Sequence, residues 1–153
     1  MSVEYIRKWV NHLHNVDREM SRIAAEKLGQ TGDQSVVPDL IRALNNRPSE
    51  IRAAAARALG RLGDPAAVPA LAVLLSDDDS IVSCAAADAL GAIGHRSAVP
   101  PLRDVLRGQA GGAHYERTRA HDRGLFVSAL QALQSIGTSD ALEAVKRYGR
   151  SGV

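Results

Sequence analysis

A period of 31 residues constrains this chain more than any other feature. Gly32, Gly63 and Gly94 stand 31 apart, as do Pro38, Pro69 and Pro100, and Leu28, Leu59 and Leu90. Two further series, Leu40, Leu71, Leu102 and Leu44, Leu75, Leu106, keep the same register. A fixed period of this size marks a repeat architecture, in which each unit is one supersecondary element that buries its apolar face only by stacking on its neighbours. Within a unit, Ile51, Ala55, Leu59 and Leu62 recur at spacings of four and three and share one face of a first helix, A. Gly63 suits the left-handed cap that ends it, and Asp64 suits the N-cap that follows. A second helix, B, places Val68, Leu71 and Leu75 inward, with Pro69 near its start, where a missing N–H costs no intrahelical bond.

A fourth unit follows an insertion of 12 residues: Leu125, Ala129, Leu133, Ile136 and Gly137 stand 43 beyond Val82, Ala86, Leu90, Ile93 and Gly94. Run backwards, the period sets Ile6, Trp9 and Leu13 opposite Val37, Leu40 and Leu44, so residues 3–14 are a B helix without its A, an N-terminal cap with polar Glu4, Arg7, Lys8 and Asn11 outward. The chain is thus expected to be one domain over 1–153, with repeats at about 17–46, 48–76, 79–107 and 122–149 and an insertion at 107–123. Composition agrees: 45% hydrophobic residues suffice for a core, while only 3% aromatic residues with abundant alanine suit closely packed helices.

The strings AAEKLGQTGDQSVVPDLIRAL, RAAAARALGRLGDPAAVPALAVLL and CAAADALGAIGHRSAVPPLRDVL resemble HEAT-like repeats, of the short subtype also found in phycobilisome lyases. The resemblance implies an all-α, right-handed α-α superhelix of about four helical hairpins plus the N-terminal half-repeat. It also implies that the concave face, lined by B helices, is where a partner docks. The turn aspartate of such repeats is present as Asp33 and Asp64 but replaced by His95 and Thr138, and their helix A arginine is matched only by Arg52, with Ser21 and Ser83 elsewhere.

Taking Asp39, Arg42 and Ala43 as outward positions of B, the period gives Lys8, Asn11 and His12; Ala70, Val73 and Leu74; Pro101, Asp104 and Val105; and Ala144, Arg147 and Tyr148. The centre of this row is apolar and its borders are charged, as at a protein-binding surface. The plainer alternative is that Val73 and Leu74 pack against neighbouring helices. The insertion RGQAGGAHYERTRAHDR offers a second candidate surface in His114, Tyr115, Arg117, Arg119, His121 and Arg123, either gripping an acidic group or phosphate or merely forming a glycine-rich loop and an extra helical turn.

No arrangement suits catalysis or a metal, and no cofactor is implied. His12 and His14 fall on different helical faces, and His114 and His121 lack a third ligand. The hydroxylases of this superfamily carry His-Glu dipeptides, which this chain lacks. Asp77, Asp78 and Asp79 lack the pattern of a calcium loop and suit a helix N-cap. Cys84 sits among alanines as an inert, partly buried residue, and a single cysteine excludes an internal disulfide framework, which suits a reducing cytoplasm. A net charge of +2 is too balanced for a nucleic-acid coat or a polybasic membrane binder, and no signal or spanning segment is visible. The leading reading is a non-enzymatic scaffold or adaptor for another protein. Two alternatives stand beside it: a non-catalytic subunit or accessory factor of a tetrapyrrole (bilin) lyase-type enzyme, which the resemblance implies, and nucleic-acid binding through the basic insertion.

Overall fold

A computed structural model of the chain describes residues 2–15, 17–110 and 119–149. The described residues form helices and short turns with no strand. A cap helix, α1 (Val3–Leu13), precedes four hairpins: α2 (Arg18–Gly29) with α3 (Val37–Ala43), α4 (Ser49–Leu62) with α5 (Val68–Leu74), α6 (Ser80–Ile93) with α7 (Val99–Ala110), and α8 (Arg119–Ile136) with α9 (Ser139–Tyr148). The A helices (α2, α4, α6, α8) form one layer and the B helices (α1, α3, α5, α7, α9) the other. The result is an all-α superhelix, as the period requires.

Each unit turns on a left-handed glycine, at φ 70° for Gly32, 71° for Gly63, 68° for Gly94 and 67° for Gly137, a region that residues with a Cβ enter only at a cost. The next residue caps the following turn. Asp33 and Asp64 accept from the N–H groups of Ser35 and Ala66, each 2.8 Å away. His95 and Thr138 do the same through Nδ1 to Ser97 N–H (3.3 Å) and Oγ1 to Ala141 N–H (3.4 Å), so the change of residue type preserves the turn and removes its negative charge. A one-turn 3-10 helix leads into α3, α5 and α7.

The A layer is held together by direct backbone approach. A Cβ on Gly29 would lie 2.7 Å from Ala58 Cα, on Gly60 2.9 Å from Ala89 Cα, and on Gly91 2.7 Å from Ala132 Cα. Small residues therefore let α2, α4, α6 and α8 stack at close range, which is what the alanine-rich composition supplies. At the outer edges the same register holds exposed Lys27 where the alanines stand and exposed Gln134 where the glycines stand. The leucines of the 31-residue series, Leu28, Leu40, Leu59, Leu71, Leu90, Leu102 and Leu106, are completely buried between the layers. At about 25 cal/mol per Å² of apolar area, this shared core is the main stabilising contribution.

A clamp ties the start of α4 to the linkers before and after its hairpin. The Arg52 guanidinium donates to both carboxylate oxygens of Asp77 at 2.9 and 2.8 Å and to the carbonyls of Asn46 and Arg47. In the acidic run, Asp79 is the N-cap of α6, as expected, while Asp77 serves this clamp instead. In the first unit the hydroxyl of Ser21, fully buried, lies within hydrogen-bond distance of the carbonyls of His12, Asn15 and Asp17 at the equivalent place and donates its one proton among them. The arginine is thus replaced there by a short side chain that satisfies the same kind of orphan carbonyl.

Candidate partner-binding face

One position of the B helices is exposed in every unit and in register: Asn11, Arg42, Val73, Asp104 and Arg147. Val73 is 74% exposed, among the most exposed large apolar side chains described. Its neighbours on the row hold their charges in local pairs. Arg42 donates to Asp39 and Arg107 lies 3.6 Å from Asp104, each one helical turn apart. Such exposed pairs contribute little to stability but leave no unpaired charge beside Val73.

The ends of the row are aromatic. On α1, Tyr5 and Trp9 meet edge to face with ring centroids 6.1 Å apart, and His12 tilts against Trp9 at 5.7 Å. Lys8 Nζ lies 6.0 Å from the Trp9 centroid. At the other end Arg147 sits 5.7 Å over the Tyr148 ring, and Arg107 Nε donates to Tyr148 Oη at 3.4 Å. These contacts fix otherwise flexible side chains on the surface.

Not every residue of the expected row is on the surface. Leu74 is only 7% exposed and belongs to the core, because the third position of each B triple turns back toward the A layer; Ala43 is fully buried for the same reason. Ala70, Pro101, Val105 and His12 are half-buried, and Ala144 is buried. The apolar centre is therefore Val73 with the edge of Ala70, not a Val73–Leu74 pair. Of the insertion residues, Arg123 is exposed. His114, Tyr115 and Arg117 lie outside the described residues, as do the side chains of Arg119 and His121 at the start of α8.

Two clefts escaped the periodic reading. Between the starts of α7 and α9, a cleft of about 640 Å³ is lined by His95, Arg96, Arg103 and Asp140, among others, and continues into a groove of about 140 Å³ beside Arg107, Glu143 and Arg147. On the A-helix side, a depression of about 430 Å³ is lined by Arg57, Ile81, Cys84, Asp88 and Gly124. Burial pushes the Cys84 thiol above its ordinary pKa, and the Asp88 charge adds to this, against a hydrogen bond with Ser128. Cys84 is thus held as a thiol, which is a weak nucleophile. Among the described residues no three His, Cys, Asp or Glu side chains gather as a metal ion would need, and no helix is long and apolar enough to cross a membrane.

The family described as HEAT repeats matches residues 6–82 and 44–113. Among solved structures, the chain is similar to a chain in the complex of CpcE and CpcF of phycocyanin lyase from Nostoc sp. PCC7120, with 27% identity, a TM-score of 0.75 and 97% of this chain covered. It spans 65% of the length of that lyase chain. Two engineered proteins share the fold at 23% identity and a TM-score of 0.63, each covering 97% of this chain and 69% and 70% of their own. No curated protein sequence matches the chain.

Proposed function

Because this chain belongs to the HEAT-repeat family, we propose that it is a non-catalytic scaffold that seats a partner protein along its B-helix face. The observation that carries this reading is Val73, 74% exposed at the middle of the row, flanked by charges already paired within their own helices. Covering an apolar side chain bordered by polar groups is how interface centres release free energy. Rigid repeats supply such a face without rearrangement, so little ordering entropy opposes binding. The test is affinity capture with the native chain and with Val73→Glu, checked by circular dichroism for folding. Val73 has almost no packing to lose, so the variant folds. A protein captured by the native chain and lost with the variant supports the scaffold; capture unaltered by the variant refutes this face.

A second reading is favoured by the likeness to a chain of the CpcE–CpcF complex, which extends over 97% of this chain. In it the protein is a non-catalytic subunit or accessory factor of a tetrapyrrole lyase-type enzyme, and the captured partner is a second repeat subunit. Visible absorbance of the captured complex incubated with a bilin distinguishes the two: a shifted and intensified band supports the lyase role, and an unchanged spectrum leaves the scaffold alone.

A further inference from the structure

We propose that the cleft between the starts of α7 and α9 receives an acidic segment of the partner, with Arg103 and Arg96 taking its carboxylates; this rests on the partner being a protein, as read above. The argument begins with register. The positions of His95, Arg96 and Arg103 are held by Asp64, Pro65 and Ala72 one unit earlier and by Asp33, Gln34 and Ile41 in the first. The last two hairpins have thus lost the turn aspartates and gained two arginines at the edge where they meet. Repeat packing does not require this, since the earlier units pack without it.

The second step is an orphan donor. Arg103 Nε is buried and has no hydrogen-bond partner among the described residues. Leaving a buried charged donor unsatisfied costs free energy unless something supplies an acceptor. Asp140 lines the same cleft, yet neither Arg103 nor Arg96 makes an ion pair with it. Neither guanidinium has an ion-pair partner among the described residues, and a carboxylate that draws the Arg103 side chain into the cleft supplies the acceptor its buried Nε lacks, in the planar fork geometry such groups favour. The adjoining groove adds Arg107 and Arg147 against Glu143, a lining with more positive than negative groups that reaches Arg147 and Tyr148 at the end of the B-face row.

Asp140 gives the proposal a signed test, because its charge opposes any acid entering the cleft. The probe is a fluorescein-labelled octaglutamate peptide, followed by anisotropy at low salt against the native chain and four variants. Arg103→Gln weakens binding by about tenfold, the loss expected for one charge-assisted pair, and the exposed Arg96→Gln by a few-fold; Asp140→Asn tightens it severalfold; Arg18→Gln, exposed at the start of α2 and off the B face, leaves it unaltered. Equal weakening by Arg18→Gln shows diffuse charge attraction and overturns the site. Binding that ignores Arg103→Gln or Asp140→Asn overturns it too, as does an RNA oligomer that binds through Arg103 where the peptide does not. Because Arg96 is exposed, its variant keeps the test valid if Arg103→Gln misfolds. A partner lost with Val73→Glu but retained by both arginine variants removes this cleft and leaves the scaffold reading intact.

Discussion

Replacing Gly91 by alanine puts one methyl group where α6 meets α8. Its Cβ would stand 2.7 Å from Ala132 Cα and 2.9 Å from Ala132 Cβ, closer than two carbon atoms tolerate. The obstructing atoms include backbone, so no rotamer relieves the contact and the whole of α8 must move outward. Overpacking of this kind costs about 1–3 kcal/mol, occasionally more. The substitution also removes a helix-interior glycine, a gain of about 1 kcal/mol. Because the obstructing atoms include backbone, the upper end of that overpacking range applies, and the net expectation is a loss of about 2 kcal/mol, or a fall in melting temperature of several degrees in a chain of this size. Gly108→Ala provides the opposite sign: it lies in α7 with nothing within 4 Å of its new Cβ, so only the propensity gain remains. Urea unfolding followed by ellipticity at 222 nm measures both. Because neighbouring repeats are coupled only through their interfaces, the Gly91→Ala trace is also expected to broaden as the last hairpin loosens first. A Gly91→Ala protein as stable as the native one, or a Gly108→Ala protein destabilised equally, refutes the idea that backbone contact sets the spacing of the A layer.

Two other outcomes follow from the electrostatics. Burial raises the Asp77 pKa, but hydrogen bonds from Arg52 and from Asp79 N–H, with the Arg52 charge, outweigh it and hold the carboxyl below its ordinary range. A depressed folded pKa gives stability that is present above the unfolded value of about 4 and is lost as pH falls through the folded one. Asp77→Asn therefore destabilises by about 1–3 kcal/mol at neutral pH, and in urea titrations the difference shrinks as pH drops below about 4; a pH-independent difference contradicts the clamp. Cys84, with its thiol pKa raised by burial and by Asp88, reacts more slowly with a disulfide reagent at mildly alkaline pH than a free thiol does. Reaction at the free-thiol rate contradicts that environment.

Much of the fold is legible in the chain because it is local. A 31-residue recurrence of leucine, glycine and proline states the helices, their caps and their stacking order, and the fourth unit is found across its insertion by the same register. That the acidic run Asp77–Asp79 supplies an N-cap was readable, and the structure assigns the cap to Asp79; that His95 and Thr138 depart from the turn aspartate was readable too, while their keeping its capping bond was not. The face was only partly readable. Period alone gives positions around a helix to within one residue, and that residue separates Val73, at 74% exposure, from Leu74, at 7%.

The sequence by itself determined the architecture, since each unit carries its own helix periodicity and turn signals and the core is a repetition of one interface. Tertiary structure alone decided which groups share space across units. Arg52 and Asp77 are 25 residues apart, and Arg103 reaches a cleft whose far wall is Asp140. Neither juxtaposition follows from the sequence period, because each depends on the relative placement of successive hairpins. The physical reason is that local propensities act over a helical turn, whereas the meeting of distant charged groups is fixed only when the buried core sets the distance between helices.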